Sequence, residues 1–216
     1  MRNTVIFDMD GTVLDTIEDL LNAMNAALTF YGYPTHTLAE MKTFVGNGLR
    51  MMAVRAVPAG TDDEAVERVF RHFKQYYSEH LNINTRPYPG ITDLLRTLKA
   101  KGIATAINSN KFDAGAKLLA QVHFGDLIDI TYGESEATPK KPDPAAARRI
   151  MEALGTDTAH TIYVGDSRVD IETARNAGLK CICVGWGFQS PDRLTDADWI
   201  AHSIEELQQL LTVNLL

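Results

Sequence analysis

Asp8 and Asp10 stand two apart, directly after the apolar run Val5-Ile6-Phe7 and directly before Gly11 and Thr12. The apolar run favours a buried, pleated backbone, so the pattern predicts a short central strand ending at Asp8. In an extended chain, side chains two apart point the same way, roughly 6.5–7 Å apart at Cα, so two carboxylates face one small volume. Such a pair repels unless a divalent cation or a shared proton lies between them. Gly11 permits a tight backbone excursion that other residues resist, and Thr12 adds a hydroxyl and an N–H at the same place. Asp-x-Asp-Gly is by itself also an ordinary polar turn, so its chemistry depends on what the rest of the chain brings beside it.

Three further groups qualify. Asn108-Ser109-Asn110 follows the apolar stretch Ile103 to Ile107, and Ser109 is expected at the N-terminus of a helix over Lys111 to Gln121, where N–H groups suit an anion's oxygens. Pro139-Lys140-Lys141-Pro142-Asp143-Pro144 is a rigid segment whose prolines fix the backbone of two lysines. Gly165-Asp166-Ser167 follows another apolar stretch, with Asp170 one turn into the next helix. Singly, each reads as a turn, a helix cap or a solvated charge. Their recurrence at one edge of one sheet is much harder to obtain by chance.

The elements that must position these groups follow from periodicity. Residues 16 to 85 carry helical spacing throughout: Leu20, Leu21, Met24, Ala27 and Leu28 in one helix, a Gly46-Asn47-Gly48 turn opening another, and a long helix capped by Thr61 and running to Leu81. From Pro89 strand and helix alternate, with strands at 103–107, 129–132, 161–164 and 180–184 and helices between them. The expected class is therefore α/β: a Rossmann-like parallel five-stranded sheet formed by residues 1–15 and 86–216, with an inserted α-helical cap domain at 16–85. Ligands of such sheets bind beyond the carboxyl ends of the strands, where the polar groups fall.

Composition narrows the partners. The chain has 216 residues, 45% of them apolar, a net charge of −7 and no run of lysines and arginines, which disfavours nucleic acid and anionic membranes. No apolar run approaches the ~18 residues of a membrane span, and the N-terminus lacks a secretion-signal pattern, so a cytoplasmic location is expected. Cys181 and Cys183 lie two apart in an apolar strand and read as buried thiols. None of the six histidines shows ligand spacing.

The motifs DMDGT (Asp8 to Thr12), Ser109-Asn110 after an apolar strand, Lys141 in KPDP, and GDSxxD (Gly165, Asp166, Ser167, Asp170) resemble, in order, those of haloacid dehalogenase superfamily phosphatases. Similarity is closest to the phosphoglycolate phosphatase branch, through the Gly-Asn-Gly turn, PYPGI before the sheet resumes, GDSRVDIETARNAG, and VGWGF after the last strand. The superfamily's dehalogenases lack the second aspartate, so Asp10 argues against that activity. The resemblance implies a Mg²⁺ ion held by Asp8, Asp166 and the Asp10 main chain, with Asp170 supporting a metal-bound water. It implies Asp8 as nucleophile, Asp10 as general acid and base, and Lys141 and Ser109 on the phosphoryl oxygens. Gly11, Thr12 and Asn110 are expected beside the phosphoryl group, and Asn47, Gly48 and Arg50 (or Arg55) near the leaving group. The implied partner is a small phosphorylated metabolite, such as 2-phosphoglycolate, acted on by a monomer or homodimer. A phosphosugar mutase of the β-phosphoglucomutase type shares every one of these core motifs. A phospho-accepting signalling domain also places acids at strand ends, but it has no use for a ~70-residue helical insert.

Overall fold

The computed structural model describes residues 1–215. From the N-terminus, β1 (Thr4–Phe7) leads to the two-residue β2 (Leu14–Asp15), and four helices follow: α1 (Ile17–Phe30), α2 (Leu38–Phe44), α3 (Leu49–Ala56) and α4 (Asp63–His80). The short β3 (Arg86–Pro87) forms a two-stranded ribbon with β2. Then come α5 (Ile91–Ala100), β4 (Ala104–Phe112), α6 (Asp113–Phe124), β5 (Ile130–Glu134), α7 (Ala145–Leu154), β6 (Thr161–Gly165), α8 (Arg168–Ala177), β7 (Lys180–Val184), β8 (Trp199–Ala201) and α9 (Ile204–Leu215). The chain divides into two compact units: Met1–Leu14 together with the described residues from Pro87 onward, and Asp15–Arg86. No helix among the described residues is long and apolar enough to cross a membrane.

The first unit is built on a parallel sheet in the order β5-β4-β1-β6-β7-β8. Among the described residues six strands form it, one more than the sequence pattern predicts. The added strand, β8, is three residues at the edge, too short to show a period. β1 is buried along its whole length, as expected of a central parallel strand covered on both faces. The helices turn apolar stripes to it: α5 buries Ile91, Leu94, Leu95 and Leu98, the i, i+3, i+4, i+7 spacing of one helix face. Each such side chain contributes about 1.5–3 kcal/mol on leaving water. Cys181 and Cys183 are free thiols inside this core, packed with Ile6, Tyr163 and Ile171.

Two strand ends differ from the expectation. β1 stops at Phe7, and the chain folds back so that the Met9 carbonyl accepts from the N–H groups of Thr12, Val13 and Leu14. β4 continues to Phe112, so α6 starts at Asp113 and Ser109 lies in a strand, not at a helix N-terminus. The cause is a bulge: Asn108 pairs with Tyr132 but Phe112 with Glu134, so β4 spends four residues where β5 spends two. Gly133 permits this, because a Cβ there would lie 2.6 Å from the Lys111 carbonyl oxygen.

In the second unit α4 buries Ala65, Val66, Val69, Phe73 and Tyr77 along one face. Its cap is Asp62, whose Oδ1 accepts from Ala65 N at 2.7 Å, and not Thr61. Asp19 on α1 is buried and accepts from five donors at the far end of the unit: the N–H groups of Ile83, Asn84 and Thr85, the Asn84 amide and the Thr85 hydroxyl. That ring of donors satisfies the carboxylate without a cation and ties α1 to the returning chain.

Candidate active site

Every strand end that carries a motif lies in the first unit. Asp8 leaves β1 with its N–H bonded to the Val164 carbonyl at 2.8 Å, which fixes it against the end of β6. Asp166 and Ser167 follow β6, and Ser167 caps α8 in a reciprocal box with Asp170. Carboxylate oxygens of Asp8, Asp166 and Asp170 lie within 4.8 Å of one another, and all three residues are buried.

Lys141 enters this acidic cluster. Its ammonium lies 2.7 Å from Asp8 Oδ1 and 2.7 Å from Asp170 Oδ1, and the residue is 4% exposed. Lys140, next to it in sequence, is exposed. The amide of Asn110 holds the Lys141 peptide from both ends: Lys141 N–H donates to Asn110 Oδ1 at 2.6 Å, and Asn110 Nδ2 donates to the Lys141 carbonyl at 3.2 Å. Asp170 is saturated by protein donors, with Lys141 on Oδ1 and the Asp166 N–H, Ser167 N–H and Ser167 hydroxyl on Oδ2.

Asp166 is held by close backbone packing. Phe188 N–H donates to its Oδ2 at 2.7 Å. A Cβ on Gly11 would come within 2.2 Å of that oxygen, and one on Gly187 within 2.3 Å of the Asp166 Cβ. Gly11 therefore serves the site by letting the Asp166 carboxylate lie against its backbone, at a φ of +86° that other residues resist.

Three buried carboxylates share one ammonium, and the electrostatics register the imbalance. Burial, then the charge of Asp170, pushes Asp8 up to about 7 against the pull of Lys141. Asp166 is raised well above the usual carboxylate range by burial, then by Asp170 and Asp8. Burial works against the charge of Lys141, but Asp170 and Asp8 outweigh it and hold the ammonium protonated. Fully ionised, the three carboxylates and Lys141 would leave two negative charges in excess on hard oxygen donors, a set that suits a divalent cation. Thr12 Oγ1 and Asn108 Nδ2 are buried without a hydrogen-bond partner, where such groups ordinarily find one.

Asp10 stands apart from the three-carboxylate cluster. Its Oδ1 lies 3.0 Å from the ammonium of Lys111, whose side chain is fully buried. Lys111 lies in β4 and not in the first turn of a helix as its sequence pattern suggests; its position directly after Ser109-Asn110 is the signal that marks it. Ser109 Oγ accepts from the Lys111 N–H at 3.2 Å. Asn47, Gly48 and Arg50 belong to the second unit. There Arg50 pairs with Glu67 at 2.5 Å, and Arg55 donates to Asn47 Oδ1 and to the Phe44 carbonyl.

Residues 5–184 match the family model of haloacid dehalogenase-like hydrolases. A phosphoglycolate phosphatase of Neisseria meningitidis serogroup A is 35% identical over 217 residues, covering 96% of this chain and 92% of that protein. One from Chromobacterium violaceum is 35% identical over 212 residues, covering 96% and 95%. A crystal structure from Lactobacillus delbrueckii subsp. bulgaricus, 33% identical, superposes with a TM-score of 0.93 over 98% of this chain and 99% of its own.

Proposed function

The chain belongs to the haloacid dehalogenase-like hydrolases and is a phosphatase of phosphate monoesters, and from that premise we propose that it is Mg²⁺-dependent and acts on 2-phosphoglycolate. The observation that carries the chemistry is the meeting of Asp8, Asp166, Asp170 and Lys141 at the carboxyl ends of β1 and β6. The substrate is supported by the two phosphoglycolate phosphatases at 35% identity over nearly the full chain.

A phosphate monoester dianion and a carboxylate nucleophile repel each other, so their approach must be neutralised. Mg²⁺ held by Asp8, Asp166 and the Asp10 main-chain carbonyl would supply that positive charge. Lys141 has three N–H donors; Asp8 and Asp170 take two, leaving one for a phosphoryl oxygen, and Ser109 serves another. Asp8 then attacks phosphorus, the bond to the leaving oxygen breaks, and Asp10 gives that oxygen its proton. In the second half Asp10 takes a proton from water, the water oxygen attacks the aspartyl phosphate at phosphorus, and Asp8 leaves as a free carboxylate with inorganic phosphate as product.

The test compares kcat/KM for 2-phosphoglycolate, β-glucose 1-phosphate and a nucleoside 5′-monophosphate, in the wild type and in Arg50→Ala, Arg50 being the cation expected from sequence to read a substrate carboxylate. The expected order places 2-phosphoglycolate first. If glucose 1-phosphate alone is consumed and glucose 6-phosphate accumulates, the protein is a mutase and the reading is wrong.

A further inference from the structure

The reaction above makes no use of Lys111, although its ammonium is fully buried and 3.0 Å from Asp10 Oδ1. The arrangement around it is paired. Two carboxylates two residues apart each pair with a buried cation, Asp8 with Lys141, which also holds Asp170, and Asp10 with Lys111. Both cations are set by the same bulged end of β4: Lys111 follows Asn110 in the chain, and the Asn110 amide holds the peptide of Lys141. Asp10 Oδ1 is buried while the side chain as a whole keeps 14% exposure, so that exposure belongs to atoms other than the oxygen paired with Lys111.

The geometry points to Lys111 as a positioning residue for the proton-transfer step, holding Asp10 by one oxygen so that the other meets the leaving oxygen and, later, water. A buried ammonium is costly to part from its carboxylate, so the pair restrains Asp10 more firmly than a surface ion pair does. This inference rests on Asp10 being the general acid. Lys111 touches no reacting atom in it, and its loss acts only through Asp10.

That dependence gives a readout that a merely structural role would not move. An alkoxide needs a proton as it departs, whereas p-nitrophenolate leaves without one, and kcat/KM reports the steps up to departure. In Lys111→Met, kcat/KM for 2-phosphoglycolate is expected to fall by on the order of 30- to 100-fold, and for p-nitrophenyl phosphate by less than about threefold. Turnover of the aryl ester serves as the internal check that the variant is folded, and Lys111→Gln, polar and shorter, replaces Met if the apolar variant does not accumulate. Asp10→Asn is measured beside them. Equal losses on both esters in the Lys111 variants, with a selective loss in Asp10→Asn, would overturn the role of Lys111 and leave the acid–base reading standing. Equal losses in Asp10→Asn itself would remove that reading, and the inference with it.

Discussion

Asn110 binds both polar groups of the Lys141 backbone, its Oδ1 accepting from the peptide N–H at 2.6 Å and its Nδ2 donating to the carbonyl at 3.2 Å. A carboxamide is the side chain that offers a donor and an acceptor side by side, and here it fixes where the lysine leaves the backbone. Asn110→Ala is expected to lower kcat/KM by on the order of 10- to 100-fold through misplacement of Lys141, with a stability loss of about 1–3 kcal/mol for the unpaired buried groups. Steady-state kinetics and thermal unfolding check it together; unchanged kcat/KM would show that Lys141 is held without the amide.

The two neighbouring lysines separate cleanly. Lys141 is buried between Asp8 and Asp170, whereas Lys140 is exposed. Lys141→Ala is expected to cost on the order of 10²-fold or more in kcat, and Lys140→Ala less than about twofold. The reverse order would move the phosphoryl contact to Lys140.

The raised Asp8 makes a prediction about pH. An acid whose folded pKa lies near 7, against 3.8 for the free group, binds more protons folded than unfolded between those values. Its contribution to stability is therefore greatest below about pH 4 and declines as pH rises through the window toward 7. Mg²⁺, which needs the carboxylate deprotonated, should reverse this. The difference in Tm between Mg²⁺-saturated and chelated protein is expected to widen from about pH 5 to about pH 8. A constant or narrowing difference would mean that protons and metal do not compete at this cluster.

Gly187→Ala tests the packing of the Asp166 carboxylate, because the new methyl would lie 2.3 Å from the Asp166 Cβ and 2.5 Å from its Oδ2. The carboxylate must move. The Mg²⁺ concentration for half-maximal activity should rise about tenfold or more, with a Tm loss in keeping with roughly 1–3 kcal/mol of overpacking. A metal titration with unchanged midpoint would place the ion away from Asp166.

Much of this was legible in the chain because the sheet is regular where the motifs are not. The apolar runs before Asp8 and Asp166 read as buried strands, and both form buried strands of the parallel sheet. What stayed hidden is tertiary. The bulge that carries β4 through Lys111 depends on Gly133 of a neighbouring strand, and no local propensity reports it. Lys111 is hidden with it, since a lysine after a polar turn looks like the first turn of a helix. Asp62 and Thr61 are adjacent capping residues, and only the structure shows that the aspartate bonds the Ala65 N–H. Asp19 sits in the first turn of an amphipathic helix, where an acid favours the dipole anyway, so nothing in sequence marks the ring of donors around it.

The central claim is that Asp8 is the nucleophile, and kcat of Asp8→Asn at saturating Mg²⁺ tests it most directly, with saturation offsetting the weaker metal site and thermal unfolding confirming the fold. An amide oxygen cannot form the aspartyl phosphate, so turnover is expected to fall by on the order of 10⁴-fold or more. Retention of a tenth of the wild-type kcat, a barrier change of only about 1.4 kcal/mol, would contradict the assignment.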